Sequence, residues 1–473
     1  MFSHTLLLFL IINSGFFSEC SAFLRGNSSK LSSSTDRQIL SHIFRESIPQ
    51  ISSRNDIFSR VRANSANVHE VVFVIVPRNM DQLTSILYDL SDPLSSNYGR
   101  HWTRDRIVEL TSNPESHHAV ISYLQRNGIA FISETAGGEY VTASASVAVW
   151  ERIFNTEFFI FHQLHSDGQV EKLIRAERYW IPIELDSHVE SVFKTIQMPV
   201  ISSGSLSILS PQLSPYSAAS LSTSTLPLDS LSVLKSESEG SGLHLLMEVE
   251  SLRSNKSSKL TLDRMKSITI LDAVITPAKI KSYYNMSASV AGSSKSTQAV
   301  FAAIKQYMSP ADLQFFQKDQ GLPAQAISSS IGDFVSNAAC LSDPTNCAEG
   351  NLDTQYIMGI SGRSPTTYWY TDLSFSDWLV TVADTVNPPL VFSISYGQEE
   401  SYTSASELNA FSTQAIKLGA MGVTILVASG DDGANSRSVR TSGVLACGYT
   451  PEYPASSPYV TAVGATSVSC RNF

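Results

Sequence analysis

No histidine follows His244, so residues 245–473 have no imidazole to serve as a base. A Ser-His-Asp triad wholly within residues 275–473 is therefore excluded. The sequence has no His-Glu-x-x-His string for a zinc peptidase, and no Gly-rich phosphate loop placed after a strand. Charge is scarce at 16%, and its acidic excess leaves a net charge of -10. Such a chain has no basic field for nucleic acid, which argues against that partner. Apolar runs of spanning length are missing too, so no membrane span is expected.

What is present points outside the cytosol. Leu6 to Ile12 is a short apolar run before Cys20-Ser21-Ala22, and residues 1–22 read as a secretory signal peptide. Asn27, Asn255 and Asn285 each begin an N-glycosylation sequon. Once Cys20 leaves with the signal, Cys340, Cys347, Cys447 and Cys470 remain, an even set that fits two disulfides. Cys340 with Cys347 would staple the loop entering the next helix; buried free thiols are the alternative.

The 473 residues suffice for two or three domains. Residues 23–65 are polar and read as loosely ordered. Residues 68–200 read as one compact α+β unit, helices on an antiparallel sheet. Its strands fall at Val71 to Val76, Ile129 to Ile132, Tyr140 to Ala143 and Phe158 to His162. Helices fall at Asp81 to Leu90, Ser116 to Asn127 and Val147 to Phe154. Residues 201–270 begin with a Ser/Leu/Pro-rich stretch and read as a linker open to proteolysis. From residue 275 onward, apolar strands alternate with helices, the pattern of an α/β parallel sheet. Working residues in such sheets sit beyond strand C-termini. Ser395-Tyr396-Gly397 and Ser429-Gly430-Asp431 occupy such places.

The chemistry left to this chain is that of carboxylates. In Cys347-Ala348-Glu349-Gly350-Asn351-Leu352-Asp353-Thr354-Gln355-Tyr356, a helix stacks Glu349 and Asp353 on one face. Like charges at that spacing repel, and one use for such a pair is to share a proton. Leu352, Tyr356 and Ile357 form a neighbouring stripe suited to burial. A solvated acidic turn is the plain alternative for the pair, and simple turn chemistry is the alternative for Asp431.

These segments together resemble the sedolisins, the serine-carboxyl peptidases. Glu349 to Tyr356, Ser395-Tyr396-Gly397, Ser429-Gly430-Asp431 and Tyr453-Pro454-Ala455-Ser456-Ser457-Pro458-Tyr459 follow in that family's order. Leu90-Ser91-Asp92-Pro93, Tyr98-Gly99 and Trp180-Ile181-Pro182 resemble its activation pro-domain. The resemblance implies a subtilisin-like parallel sheet over residues 275–473, incomplete at its end, with a pro-domain that docks on it and covers the cleft. It implies Glu349 as general base, Asp353 as its orienting partner and Asp431 as protonated oxyanion donor. Ser395, Tyr396 and Gly397 would lie along the substrate, a peptide or protein. It also implies a zymogen of the secretory pathway, secreted or held in an acidic compartment, acting in acid as a tripeptidyl-peptidase or endopeptidase.

The family's Gly-Thr-Ser-x-x-x-Pro nucleophile element is not among these residues, and Gly464-Ala465-Thr466-Ser467 is a poor match for it. The calcium that the family domain holds would likewise take its ligands from residues this sequence lacks. The chain alone is thus expected to be inactive and poorly stable. Its second reading is a non-catalytic product whose pro-domain binds or inhibits intact peptidases.

Overall fold

The computed structural model describes residues 41–49, 57–164, 170–199, 275–287, 292–371, 375–434 and 449–465. The expected signal, the 201–270 linker, Asn27, Asn255, Cys447, Cys470 and Ser467 lie outside the described residues.

The first unit carries strands β1 (His42–Ser47), β2 (Ile57–Arg62), β3 (Val68–Ile75), β4 (Ala130–Glu134), β5 (Tyr140–Ser146), β6 (Phe158–Leu164), β7 (Val170–Ala176), β8 (Arg178–Pro182) and β9 (Val189–Phe193). Its helices are α1 (Met80–Ser91), α2 (Arg104–Thr111), α3 (Pro114–Arg126) and α4 (Val147–Ile153). The central sheet runs β4-β5-β3-β9, with β2-β6-β7 and β1-β8 beside it, all antiparallel.

Strand β3 explains how this unit is placed. Val71, Phe73 and Ile75 point into the unit's own core, with Trp150 and Phe154 of the α4 region. Val72 and Val74 point the other way, into a core shared with the second unit. The near-continuous apolar run is thus a strand buried on both faces, although it is antiparallel. The expectation of loose order over residues 23–65 fails where β1 and β2 form: β1 pairs with β8 and β2 with β6, long-range partners no local pattern reveals. Helix α2 and strands β7, β8 and β9 were likewise not anticipated.

The second unit holds α5 (Pro277–Tyr283), β10 (Gln298–Ala302), α6 (Pro310–Asp319), β11 (Ser329–Ile331), α7 (Asn337–Ser342), α8 (Ala348–Ser361), β12 (Thr366–Tyr370), α9 (Phe375–Asp384), β13 (Val391–Ile394), β14 (Gln398–Glu399), α10 (Ala405–Ala420), β15 (Thr424–Ala428), β16 (Glu452–Tyr453) and β17 (Thr461–Val463). Six strands form a parallel sheet in the order β11-β12-β10-β13-β15-β17. Alternation along β10 sorts its two faces. Ala299 and Phe301 face α9 and α10 with Trp378 and Phe411, whereas Val300 and Ala302 face the α8 side with Tyr368 and Ile357. At the β17 edge, Thr461, Ala462 and Val463 are all exposed.

The first unit's sheet lies on the outer faces of α9 and α10. Val72, Val74, Tyr140 and Phe193 join Trp378, Phe411 and Leu418 in one core. Leu87 of α1 fits so closely over Gly419 that a Cβ there would stand 2.8 Å from its Cδ1. Polar ties ring this apolar joint. The Trp102 amide donates to Ala420 O at 2.9 Å, and the Arg104 guanidinium to Ala383 O at 2.8 Å. Glu46 accepts from the Ser406 amide at 2.9 Å and from its hydroxyl at 2.6 Å. Lys417 forms an ion pair with Glu139. The expected docking is met on the α9 and α10 face; residues 200–274 lie outside the described residues, and with them the expected cover of the cleft.

Both side chains of the Glu139–Lys417 pair are nearly closed off, at 16% and 8% exposure. At about pH 6, below the value of about 7 to which burial and then Arg104 push Lys417, Glu139→Ala should therefore cost about 3–5 kcal/mol, because it strands the Lys417 ammonium in the joint. Urea unfolding checks this; a loss below about 1 kcal/mol, the surface-pair range, would show that the pair is solvated.

Candidate active site

Helix α8 starts without a side-chain cap of its own, since Cys347 at the N-cap supplies none. Its first turn is held from outside. The Cys340–Cys347 disulfide, as anticipated, ties α7 to the turn before α8 across a Cα separation of 5.4 Å. Gln306 Oε1 accepts the Glu349 amide at 3.0 Å, while Gln306 Nε2 donates to Thr345 O at 3.1 Å. The Tyr368 hydroxyl in turn donates to Gln306 O at 2.8 Å. Asn351 bridges to α6, accepting the Ser309 amide and donating to Asp312 Oδ2, each at 2.8 Å. These contacts satisfy helix-end amides that would otherwise be orphaned, and they fix the rotation of α8. A tilted ring contact between Tyr356 and Phe316, at 5.4 Å between centroids, holds α8 to α6 farther along.

That rotation turns Glu349 and Asp353 toward the carboxyl ends of the parallel strands. The Ser395 hydroxyl, just past β13, donates to Asp353 Oδ1 at 2.9 Å. Asp353 Oδ2 is closed off from solvent and has no hydrogen-bond partner among the described residues. Burial, then the charge of Glu349, pushes the Asp353 carboxyl well above its usual range, against the donation from Ser395. Glu349 is pushed up to about 7, by burial first and then by the charge of Asp431. Asp431 follows β15 and Gly430, whose φ of 92° belongs to the glycine-favouring region. The structure thus gathers Glu349, Asp353, Ser395 and Asp431 at one end of the sheet.

Tyr396 is buried in the shared core, its ring 5.6 Å from Phe301. Gly397 lies where a Cβ would come within 3.0 Å of Tyr453 O, so the β14–β16 pairing needs a glycine there. Leu352 departs from expectation: it is 50% exposed, because this flank of α8 borders the open side of the sheet. A groove of ≈ 370 Å³ runs there past Leu352, Asp353, Tyr356, Ile360 and Ser393. Asn285 stands exposed past the end of α5, open to modification.

Three residues at the site were not picked out from the sequence. Gln306 and Tyr368 had no signal, since both act through loop and strand partners distant in the chain. Glu452 precedes Tyr453-Pro454 within a segment already recognised, and its position there was the available clue. Its carboxyl is pushed up to about 7, by burial and then by Asp432, Asp431 and Glu399. Among the described residues, no three or more His, Cys, Asp or Glu side chains gather as metal ligands. The implied calcium therefore finds no fitting donor set in them.

A model of the pro-kumamolisin activation domain matches residues 58–198, which is the first unit. Tripeptidyl-peptidase 1 of Dictyostelium discoideum is 29% identical over 407 residues, covering 84% of this chain and 61% of that protein. The chain is similar to tripeptidyl-peptidases over most of its length. Human tripeptidyl-peptidase 1 is 25% identical over 420 residues, covering 86% of this chain and 63% of its own length. Tripeptidyl-peptidase SED2 of Arthroderma otae is 26% identical over 427 residues, covering 85% and 64%. The chain thus spans about three fifths of the length of the curated relatives it matches. Among solved structures, Pseudomonas sedolisin complexed with two molecules of pseudo-iodotyrostatin aligns at 23% identity with a TM-score of 0.32, over 40% of this chain and 52% of that one.

An acid with a higher pKa folded than unfolded stabilises the fold below the ordinary carboxylate range, and this contribution is lost as pH rises through the folded value. For Glu349 the window runs from 4.5 to about 7. Melting followed by circular dichroism should show Tm falling across that window, with a shallower fall in Glu349→Gln. The shift should be roughly 2–4 °C for each kcal/mol lost. Identical slopes in the two proteins would show that the Glu349 carboxyl is not buried.

Proposed function

We propose that the protein is a peptidase of the serine-carboxyl type, made as a zymogen in the secretory pathway and acting in an acidic compartment. The observation that carries this reading is the pair of carboxyls, Glu349 and Asp353, one helical turn apart and both pushed upward by burial. Structural acids are normally spared such surroundings, and perturbed acids in a cleft mark functional sites. In this reading Glu349 takes the proton from a serine hydroxyl as it attacks the peptide carbonyl. Asp353 orients Glu349 and shares its proton. Asp431, at the strand end, donates an O–H hydrogen bond to the developing oxyanion, which a carboxyl does only while protonated. The Ser395-Tyr396-Gly397 backbone lies along the substrate.

No Gly-Thr-Ser string occurs in these 473 residues, so the nucleophile is assigned to none of them. The open groove beside Asp353 leaves room on that side of α8 for the segment that bears it. The first unit, on α9 and α10, keeps the peptidase latent until cleavage between residues 200 and 275. The secretory reading also assigns a glycan to Asn285 and calcium to the intact peptidase domain. The likeness to tripeptidyl-peptidases favours removal of tripeptides from free N-termini over internal cutting.

Peptide hydrolysis by the protein purified from its source should peak in acid, below the value of about 7 to which Glu349 is pushed, and decline toward about pH 8. Glu349→Gln should lower kcat roughly 10²–10⁴-fold, the usual worth of a general base, with a smaller effect on KM. Activity that climbs steadily to about pH 8 would exclude a protonated Asp431 from the mechanism.

A further inference from the structure

Between β10 and α6 the chain turns through two residues that ordinarily avoid such a shape. Ile304 and Lys305 both stand in the left-handed region, at φ 54° and 56°. Neither is glycine, and a β-branched residue there is a genuine outlier. Strain of this kind persists only where the surroundings over-determine it, and it gathers at working sites. Here the surroundings are plain. The Ile304 side chain packs against the core on the α9 and α10 side of the sheet. Tyr368 and Tyr370, alternate residues of β12, face the other side and clamp the turn from there. The Tyr370 hydroxyl accepts the Lys305 amide at 3.2 Å, and the Tyr368 hydroxyl donates to Gln306 O at 2.8 Å. The Gln306 amide closes the turn onto Ala303 O at 3.1 Å.

What the turn delivers to the first turn of α8 is the side chain of Gln306, which is 7% exposed. Both ends of its carboxamide are used. Oε1 accepts the Glu349 amide and Nε2 donates to Thr345 O. The partners force that orientation, since an amide N–H only donates and a carbonyl oxygen only accepts. Gln306 thereby does for α8 what a cap residue does for its own helix, and what Cys347 does not do. A carboxamide suits the place because it accepts and donates at once and adds no charge beside Glu349.

We infer that Gln306 is a positioning residue for Glu349: from its strained turn it caps α8 in trans and holds the Glu349 carboxyl at the depth where it acts as base. The role of base rests on the peptidase reading above; the depth of the carboxyl rests on the contacts alone. Without the cap, the first turn of α8 opens to water and its amide end is unopposed, and both effects favour the charged carboxylate. The Glu349 carboxyl, pushed up to about 7 in the intact site, then falls back toward 4.5. The titratable groups around it are Asp353 of α8, Asp431 after β15, Tyr368 of β12 and Tyr396 after β13, none of them cationic.

Difference infrared spectroscopy of the full-length protein follows this titration without any turnover, with the Glu349 band identified by its loss in Glu349→Gln. Gln306→Met keeps the length of the side chain and makes neither hydrogen bond. In it the Glu349 titration should move down from about 7. Its kcat for peptide hydrolysis should fall roughly 10–100-fold with KM nearly unchanged. Gln306→Glu supplies a second arm, because a protonated carboxyl both accepts and donates whereas a carboxylate only accepts. Its activity relative to the unsubstituted protein should be close to full in acid and fall roughly tenfold as pH rises and the new carboxyl ionises. A side chain that serves packing alone gives no such dependence. A Glu349 titration that stays in place in Gln306→Met overturns the inference, and so does a Gln306→Glu activity ratio that is flat with pH. If circular dichroism shows that Gln306→Met does not fold, the Gln306→Glu profile decides. A titration that moves in a protein without hydrolysis supports the positioning role and overturns only the peptidase reading.

Discussion

The site depends on how closely one helix approaches a loop and a strand. At Gly350 a Cβ would lie 2.4 Å from Tyr307 O and 2.4 Å from the Tyr368 hydroxyl. Only glycine lets α8 lie that deep, and depth sets the electrostatics of everything on its inner face. Glu349 and Asp353 flank this residue, and their raised proton affinities follow from the desolvation that the close approach imposes. Gln306 adds rotation to depth by holding the Glu349 amide. The acids are therefore consequences of packing before they are agents of chemistry.

A buried acid recurs at the joint between the two units, with the same bearing on pH as Glu349. Glu407 of α10 is pushed up to about 8 by burial and then by Asp377 and Glu46, with Arg175 opposing. Its contribution to the joint is whole below the ordinary carboxylate range and is lost as pH climbs through about 8. Lys417 of the same helix, ion-paired with Glu139, is pushed down to about 7 by burial and then by Arg104.

Much of this was legible in the chain. The Glu349–Asp353 spacing, the strand-end positions of Ser395 and Asp431, and the Cys340–Cys347 staple are local patterns, and the structure places them as local patterns do. The β3 run was legible as buried, but not what lay on each side of it. Alternate residues of that one strand serve two cores, and both cores require apolar side chains. Strands β1 and β2 were missed because their stability comes from partners over a hundred residues away, not from their own composition. Leu352 misled because helical periodicity marks an apolar stripe without saying whether a neighbour covers it. Gln306 and Glu452 act across distances in sequence that no window spans.

The shared core also bears on what happens after the units part. While docked, Val72, Val74, Tyr140 and Phe193 complete a core that includes Trp378 and Phe411. Each aliphatic or aromatic side chain brought back to water costs roughly 1.5–3 kcal/mol. A detached first unit therefore carries a bare, adhesive sheet face, the kind of surface that aggregates or draws degradation. Its removal from solution drains the dissociated state and leaves nothing to rebind. Separation then behaves as a ratchet: a modest equilibrium shift at the joint becomes a permanent change in the partner left behind.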